Sequence, residues 1–246
     1  MSAFSVDLDS LPPMNEHISK QFDAELEQMR TKVLQMGGMV ELQIARALDG
    51  LANGDLDELE HVIDDDHRIN LMEIELDEAC THMIAKRQPT ARDLRLVMTV
   101  FKMITDLERI GDEAKKIAKM SKRLHSGEKP FQPRIELRHS ANIAIDMLRK
   151  TLDAFARLDI SSVADIVRED KQVDAEFKGI IRQLITFLME DPRTISAGID
   201  MLFMAKAVER IGDHAKNMSE YVVYMVKGRD IRHAGIEALE QEVAND

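Results

Sequence analysis

The chain has 246 residues, 44% hydrophobic and 32% charged, a composition of a globular rather than a disordered protein. Its net charge of −12, from 33 Lys and Arg against 45 Asp and Glu, argues against a nucleic-acid-binding surface, which needs a basic stripe. Aromatic residues are only 4% and Trp is absent, whereas Met, Leu, Ile and Ala abound, so an all-α protein is predicted.

Residues 1 to 14 read as a disordered lead ended by Pro12-Pro13; MSAFSVDLDSLPPMNEH is acidic and lacks the apolar core of a signal peptide. The first helix is predicted from about Glu16 to Leu51, with Ile18, Phe22, Leu26, Met29, Val33, Met36, Val40, Ile44 and Leu48 at helical spacing. Gly37-Gly38 predicts a bend within it. Asn53-Gly54 stops it, and Asp55 is a natural N-cap for a second helix over 55–86. Gln88-Pro89-Thr90 makes the next turn, with Thr90 capping a third helix that runs to about Leu124. Ser126-Gly127-Glu128-Lys129-Pro130 and Pro133 form the strongest interior breaker cluster. Three more helices follow, over 134–157, 159–189 and 193–227, with Asp191-Pro192 as the last tight turn. Short turns between long amphipathic helices force antiparallel neighbours. The predicted architecture is a tandem repeat of two antiparallel three-helix bundles, 15–127 and 131–228, followed by a tail over 229–246.

The repeat is explicit in the residues. Glu108-Arg109-Ile110-Gly111-Asp112-Glu113-Ala114-Lys115 returns as Glu209-Arg210-Ile211-Gly212-Asp213-His214-Ala215-Lys216, identical but for Glu113 and His214. With an offset of 104, Met39 to Leu51 lies over Ile143 to Phe155, and Asp66-x-x-Ile69-Asn70 over Asp170-x-x-Val173-Asp174. At the octapeptide the offset is 101, so the first copy holds three extra residues, placed near the Arg87-to-Arg92 turn. Each octapeptide also keeps a mid-helix glycine, which costs about 1 kcal/mol relative to alanine and predicts a close approach to the backbone there.

Within each copy Glu and Asp stand four apart, roughly 40° around a helix and about 6 Å along it, so both carboxylates share one face. One bundle offers Asp66, Asn70, Glu108 and Asp112; the other offers Asp170, Asp174, Glu209 and Asp213. They border apolar stripes: Phe101, Ile104, Leu107, Ile110, Ala114 and Ile117 on one helix, Met204, Val208, Ile211, Ala215 and Met218 on the other. Two readings stand. Arg109, Arg210 or nearby lysines satisfy the carboxylates as surface ion pairs, or the clustered oxygens form a site for hard or borderline divalent cations. On the metal reading the second bundle is expected to bind more tightly, because Asp174 is ionised where Asn70 is an amide.

Catalytic patterns are weak. Di-iron carboxylate enzymes need Glu-x-x-His on two helices, and Glu58-x-x-His61 has no counterpart in the second copy. No phosphate-binding glycine loop, repeated Ser/His/Asp set or Cys/His metal spacing occurs. Cys80 can form no internal disulfide, which fits a cytoplasmic chain, and its flanks suit a buried small apolar residue rather than a nucleophile. No apolar run reaches the roughly 18 residues of a membrane span.

Lys86-Arg87-Gln88-Pro89-Thr90-Ala91-Arg92-Asp93-Leu94-Arg95-Leu96, the two ERIGDxAK segments and Gln35-Met36-Gly37-Gly38-Met39-Val40-Glu41 together resemble the PhoU family. The likeness covers nearly the whole chain, including Asp153-Ala154-Phe155-Ala156-Arg157 and Tyr224-x-x-Lys227-Gly228. The resemblance implies paired three-helix bundles carrying E(D)-x-x-x-D motifs that bind metal ions, at Asp66, Glu108, Asp112, Asp170, Asp174, Glu209 and Asp213, with Asn70 departing from the pattern. The metal is left open among zinc, manganese, magnesium, iron and nickel, in divalent or trivalent form. It implies a non-enzymatic cytoplasmic regulator of phosphate homeostasis, a homodimer close to the membrane without spanning it. Such a regulator links the ATPase subunit of the phosphate ABC transporter (PstB) to the phosphate-sensing histidine kinase (PhoR), and represses the phosphate regulon and uptake. The alternative from the residues alone is a carboxylate-bundle metal-binding protein or metalloenzyme.

Overall fold

A computed structural model describes residues 14–89, 91–127 and 135–229. Among them are the helices α1 (Met14–Asn53), α2 (Leu56–Arg87), α3 (Ala91–His125), α4 (Arg138–Arg157), α5 (Val163–Glu190) and α6 (Ile195–Lys227), and no strand. The lead over 1–13, the expected cap at Thr90, Glu128 to Pro133 of the breaker cluster and the tail over 230–246 lie outside the described residues.

Local chemistry sets the ends. Asp55 caps α2, its side chain accepting from the Glu58 amide at 3.0 Å, so one of the otherwise unpaired amides of the first turn is satisfied. Gly54 at φ 68° and Gly228 at φ 75° take the left-handed conformation that turns the chain out of α1 and α6. Gln88 adopts the same region at φ 48° just before Pro89, which cannot donate the next helical hydrogen bond. The second copy turns from α5 to α6 through a short 3₁₀ segment, Pro192–Thr194.

α1 is one continuous helix from Met14 to Asn53, so Gly37-Gly38 does not interrupt it. Gly37 serves packing instead. A Cβ there would stand 2.5 Å from Leu152 Cδ1, so the missing side chain lets α4 seat against α1. Phe101, expected in the α3 stripe, is 41% exposed, while Ile104, Leu107, Ile110, Ala114 and Ile117 are buried as expected.

Each triplet of helices packs pairwise, and the two bundles join along α3 and α6, with α1 against α4 and with α2 and α5 on the outer flanks. α3 and α6 run antiparallel: Thr99 meets Tyr221, Glu113 meets Arg210 and Ser121 meets Met204. The core is continuous across the junction, from Met36, Ile44, Leu59 and Leu107 to Met147, Phe155, Val208 and Met218. The repeats are therefore halves that share one core. Cys80 is fully buried within it, and burial pushes its thiol up to about 12, so it is an inert apolar side chain.

Candidate functional site

Because α3 and α6 cross at their middles, the two octapeptides lie side by side, and each has an inner and an outer side. On the inner side, Arg210 reaches Glu113 at 2.7 Å, and His214 Nδ1 stands 2.9 Å from Asp106 Oδ1. Glu113 and Asp106 are 5% and 2% exposed, so these pairs are made where an unpaired charge is costly. The one position at which the octapeptides differ, Glu113 against His214, is thus where they face each other. Arg109 and Arg210 do not serve the Glu108 and Glu209 carboxylates, contrary to the first form of the surface-pair expectation; Arg109 lies 3.7 Å from Asp106 instead.

The outer side carries the predicted residues. Asp66 of α2 is buried at 1% exposure and accepts from Lys115 Nζ at 2.7 Å; Asp170 of α5 is buried and accepts from Lys216 Nζ at 2.9 Å. The lysine that closes each octapeptide therefore reaches back to the inner aspartate of the preceding helix. Sequence reasoning allowed for lysines nearby without naming these two, although their identity in both octapeptides was the available signal. Asp112 is exposed and only 3.9 Å from Lys115, whereas Glu108 is half-buried. Burial, then Asp112, Glu73 and Asp66, push the Glu108 carboxyl above its ordinary 4.5, with Arg109 opposing. In the second bundle it is Asp213 that is pushed above 3.8, by burial first and then Glu209, Asp170 and Asp174, with Lys206 opposing. All the named carboxylates thus act on one another electrostatically within their own bundle. Among the described residues, however, no three His, Cys, Asp or Glu side chains stand close enough to enclose a metal ion. Lysine ammonium groups hold the inner aspartates. Glu58 of the Glu-x-x-His pattern is held by Arg46, while His61 is exposed.

The two faces are lined differently. Glu73, one turn past Asn70, belongs to the first face and was missed from the sequence; burial and then Asp77 push its carboxyl up. Its repeat counterpart is Phe177, over whose ring Lys206 Nζ sits at 5.4 Å while also pairing with Glu209 at 2.6 Å. The first face thus sets Asp66, Glu73, Glu108 and Asp112 against Lys115, and the second sets Asp170, Asp174, Glu209 and Asp213 against both Lys206 and Lys216. That balance removes the charge advantage on which tighter binding by the second bundle was expected.

Beneath the first face lies Gln43, 5% exposed, at the repeat position of Met147. Its Nε2 donates to Val62 O at 3.3 Å and to Asp66 Oδ1 at 3.2 Å, which fixes the amide orientation. Its Oε1, like Asn70 Oδ1, is buried with no hydrogen-bond partner among the described residues. Gly111 leaves the room beside it: a Cβ on Gly111 would stand 3.2 Å from Gln43 Oε1 and 3.3 Å from Ile69 Cδ1. At Gly212 the nearest atom, Val173 Cγ1, is 3.6 Å away, an ordinary contact. Two orphaned amide oxygens on a face that carries four carboxylates are hard oxygen donors, the ligand type a hard divalent cation takes.

Comparison with known proteins agrees with this geometry. A family model described as the PhoU domain matches residues 33–121 and again 137–222, one match per bundle. The chain is 49% identical over 238 residues to the phosphate-specific transport system accessory protein PhoU of Escherichia coli (strain K12), covering 96% of this chain and 98% of that protein. It is 43% identical over 234 residues to the PhoU homolog of Pseudomonas aeruginosa, covering 95% and 96%. The crystal structure of PhoU from Pseudomonas aeruginosa superposes with a TM-score of 0.81 at 42% identity, over 85% of this chain and all 100% of that one. The phosphate transport system regulatory protein PhoU from Streptococcus pneumoniae gives 0.78 at 30% identity, over 85% and 98%. Two domain matches that fall on the two halves of a duplicated fold, and relatives matched along nearly their full length, establish that the chain belongs to the PhoU family.

Proposed function

We propose that the protein is a cytoplasmic, non-enzymatic regulator of phosphate transport that represses the phosphate regulon by coupling the transporter's ATPase subunit to the phosphate-sensing histidine kinase, as a homodimer. The observation that supports this most strongly is the near full-length likeness to accessory proteins named for phosphate-specific transport. No described helix is long and apolar enough to cross a membrane, so contact with a transporter runs through the surface of the bundles. The carboxylate faces are the proposed output surface. Asp66, Asn70, Glu108 and Asp112 on one, and Asp170, Asp174, Glu209 and Asp213 on the other, are the residues that would hold metal ions. A bound cation would neutralise like charges and tie the outer helix of each bundle to its octapeptide.

The test is complementation. A strain lacking its own family member should regain repression of phosphate-regulon genes in phosphate-rich medium when given this chain. Replacing Glu108, Asp112, Glu209 and Asp213 together by Ala should leave a folded protein, since crowded like charges are removed, yet impair repression. Normal repression by that folded variant would place the working surface elsewhere.

A further inference from the structure

The first bundle buries a polar residue, Gln43, that the proposed function does not use. Gln43 comes from α1, not from the motif helices, and it is buried in a position where the second bundle places Met147. A buried amide in a core costs stability unless both its ends are satisfied. Here the nitrogen is satisfied twice and the oxygen not at all. The amide cannot flip to repair this, because Val62 O and Asp66 Oδ1 both require a donor. Its free oxygen faces Gly111, the residue between Glu108 and Asp112, where any side chain would press on it at 3.2 Å. Asn70 repeats the pattern from α2: its Oδ1 is also buried and unpartnered.

We propose that Gln43 Oε1 and Asn70 Oδ1 are neutral ligands of the first face, making it a site for a hard divalent cation of high coordination number, of the calcium or manganese class. This rests on the metal reading above and goes beyond it, since Gln43 lies outside the acidic motifs. Amide oxygens are ligands for hard cations and offer nothing to soft ones, whereas a thioether does the reverse. Neutral ligands also raise the coordination number without adding repulsion to a face that already holds Asp66, Glu73, Glu108 and Asp112. The second face has Met147 and Phe177 at the positions of Gln43 and Glu73, and Lys206 on Glu209. It therefore lacks oxygens at the Gln43 and Glu73 positions, with Asp174 alone keeping one at that of Asn70, and is the weaker site for such ions.

The full-length protein carrying Glu209→Ala and Asp213→Ala isolates the first face. In that background, titration calorimetry with Mn²⁺ should show one site, which Gln43→Met weakens by about ten-fold or more. Tb³⁺ bound in place of Mn²⁺ reports its coordinated waters through luminescence lifetimes in H₂O and D₂O; Gln43→Met should admit about one more water. Gln43→Glu keeps an oxygen at the position while giving up the donor to Val62 O and Asp66 Oδ1, so its water count should stay that of the background even where its affinity shifts, which separates loss of the ligand from loss of packing. An unchanged affinity in Gln43→Met overturns the proposal. So does a weakened site with an unchanged water count, which would make Gln43 a residue that only positions Asp66. If the background protein binds no Mn²⁺, the metal reading itself falls, an outcome distinct from a site that ignores Gln43.

Discussion

The first and second bundles share a backbone plan and a lysine–aspartate pair, yet they face their carboxylates with different neighbours. Gln43, Asn70, Glu73 and Thr105 in the first stand where Met147, Asp174, Phe177 and Lys206 stand in the second. Both must keep four carboxylates on one face of a helical bundle, where burial first and mutual repulsion second raise Glu108 in one and Asp213 in the other. The second bundle answers with a second cation, Lys206, seated on Phe177 and bonded to Glu209. The first has no such cation and supplies amide oxygens instead. Duplication preserved what holds α2 to α3 and α5 to α6, and left free what the faces select.

The seam between the bundles breaks the symmetry most sharply, and the largest effect is expected there. His214→Glu would copy the first octapeptide into the second and set a buried carboxylate against Asp106, 2.9 Å from the present imidazole. It should cost about 3 kcal/mol, or about 6–12 °C in Tm by calorimetry. Glu113→His, opposite the 44% exposed Arg210, should cost about 1 kcal/mol. Equal losses would mean that the seam does not depend on which side carries the acid.

The paired glycines sharpen the comparison at smaller scale. Gly212→Ala meets only ordinary contacts and should stabilise the protein by about 0.5–1 kcal/mol through helix propensity. Gly111→Ala presses on Gln43 Oε1 and Ile69 and should give no gain, or a loss of about 1 kcal/mol. Denaturant midpoints measured with both single variants decide this, and equal gains would show that the tight approach at Gly111 relaxes freely.

Lys206→Thr gives the second face the residue found at Thr105 of the first and frees Glu209. Because Lys206 is 43% exposed, the Mn²⁺ affinity of the second face should rise only about three- to five-fold in a calorimetric titration. No change would show that Lys206 already yields to the incoming ion.

The smallest effect is on acid dependence. Glu108 and Asp213 carry raised pKa values in the folded chain, so the folded state takes up protons before the unfolded one as pH falls. Their contribution to stability is present below the ordinary values of 4.5 and 3.8 and is lost as pH rises through the raised ones. With chelator present, Glu108→Gln with Asp213→Asn should therefore be more stable than wild type at pH 7, by a few degrees at most, and the gap should close on acidification. Glu25 and Asp65, held low chiefly by Arg87 and Arg46, work in the opposite sense and lose their contribution only in more acidic solution. A gap that persists at low pH would place the gain in packing rather than charge.

Much of this was legible in the residues. Helical period, turn residues and the octapeptide placed the helices to within a few residues, because Asp55, Gly54, Pro89 and Gly228 act within a turn or two of themselves. The acidic i, i+4 pairs also fell on one face as predicted, since that follows from helix geometry alone. What was not legible depends on residues far apart in the chain. Gly37 looked like a bend because glycine is a local breaker, and only the seat of Leu152 from α4 shows that it is a contact. Glu73 and Gln43 carry no motif, and they join the first face only because α1 and α2 pack against α3.

The sequence by itself determined the helices, their duplication and the carboxylate pairs, all of which rest on spacing along one chain. Tertiary structure decided which side of each octapeptide faces inward, that Lys115 and Lys216 hold Asp66 and Asp170, and that Glu113 and His214 differ because they face each other's half. Spacing fixes the direction of a side chain about its own helix axis; its partner depends on how the helices cross, and that crossing is set by the shared apolar core of both halves.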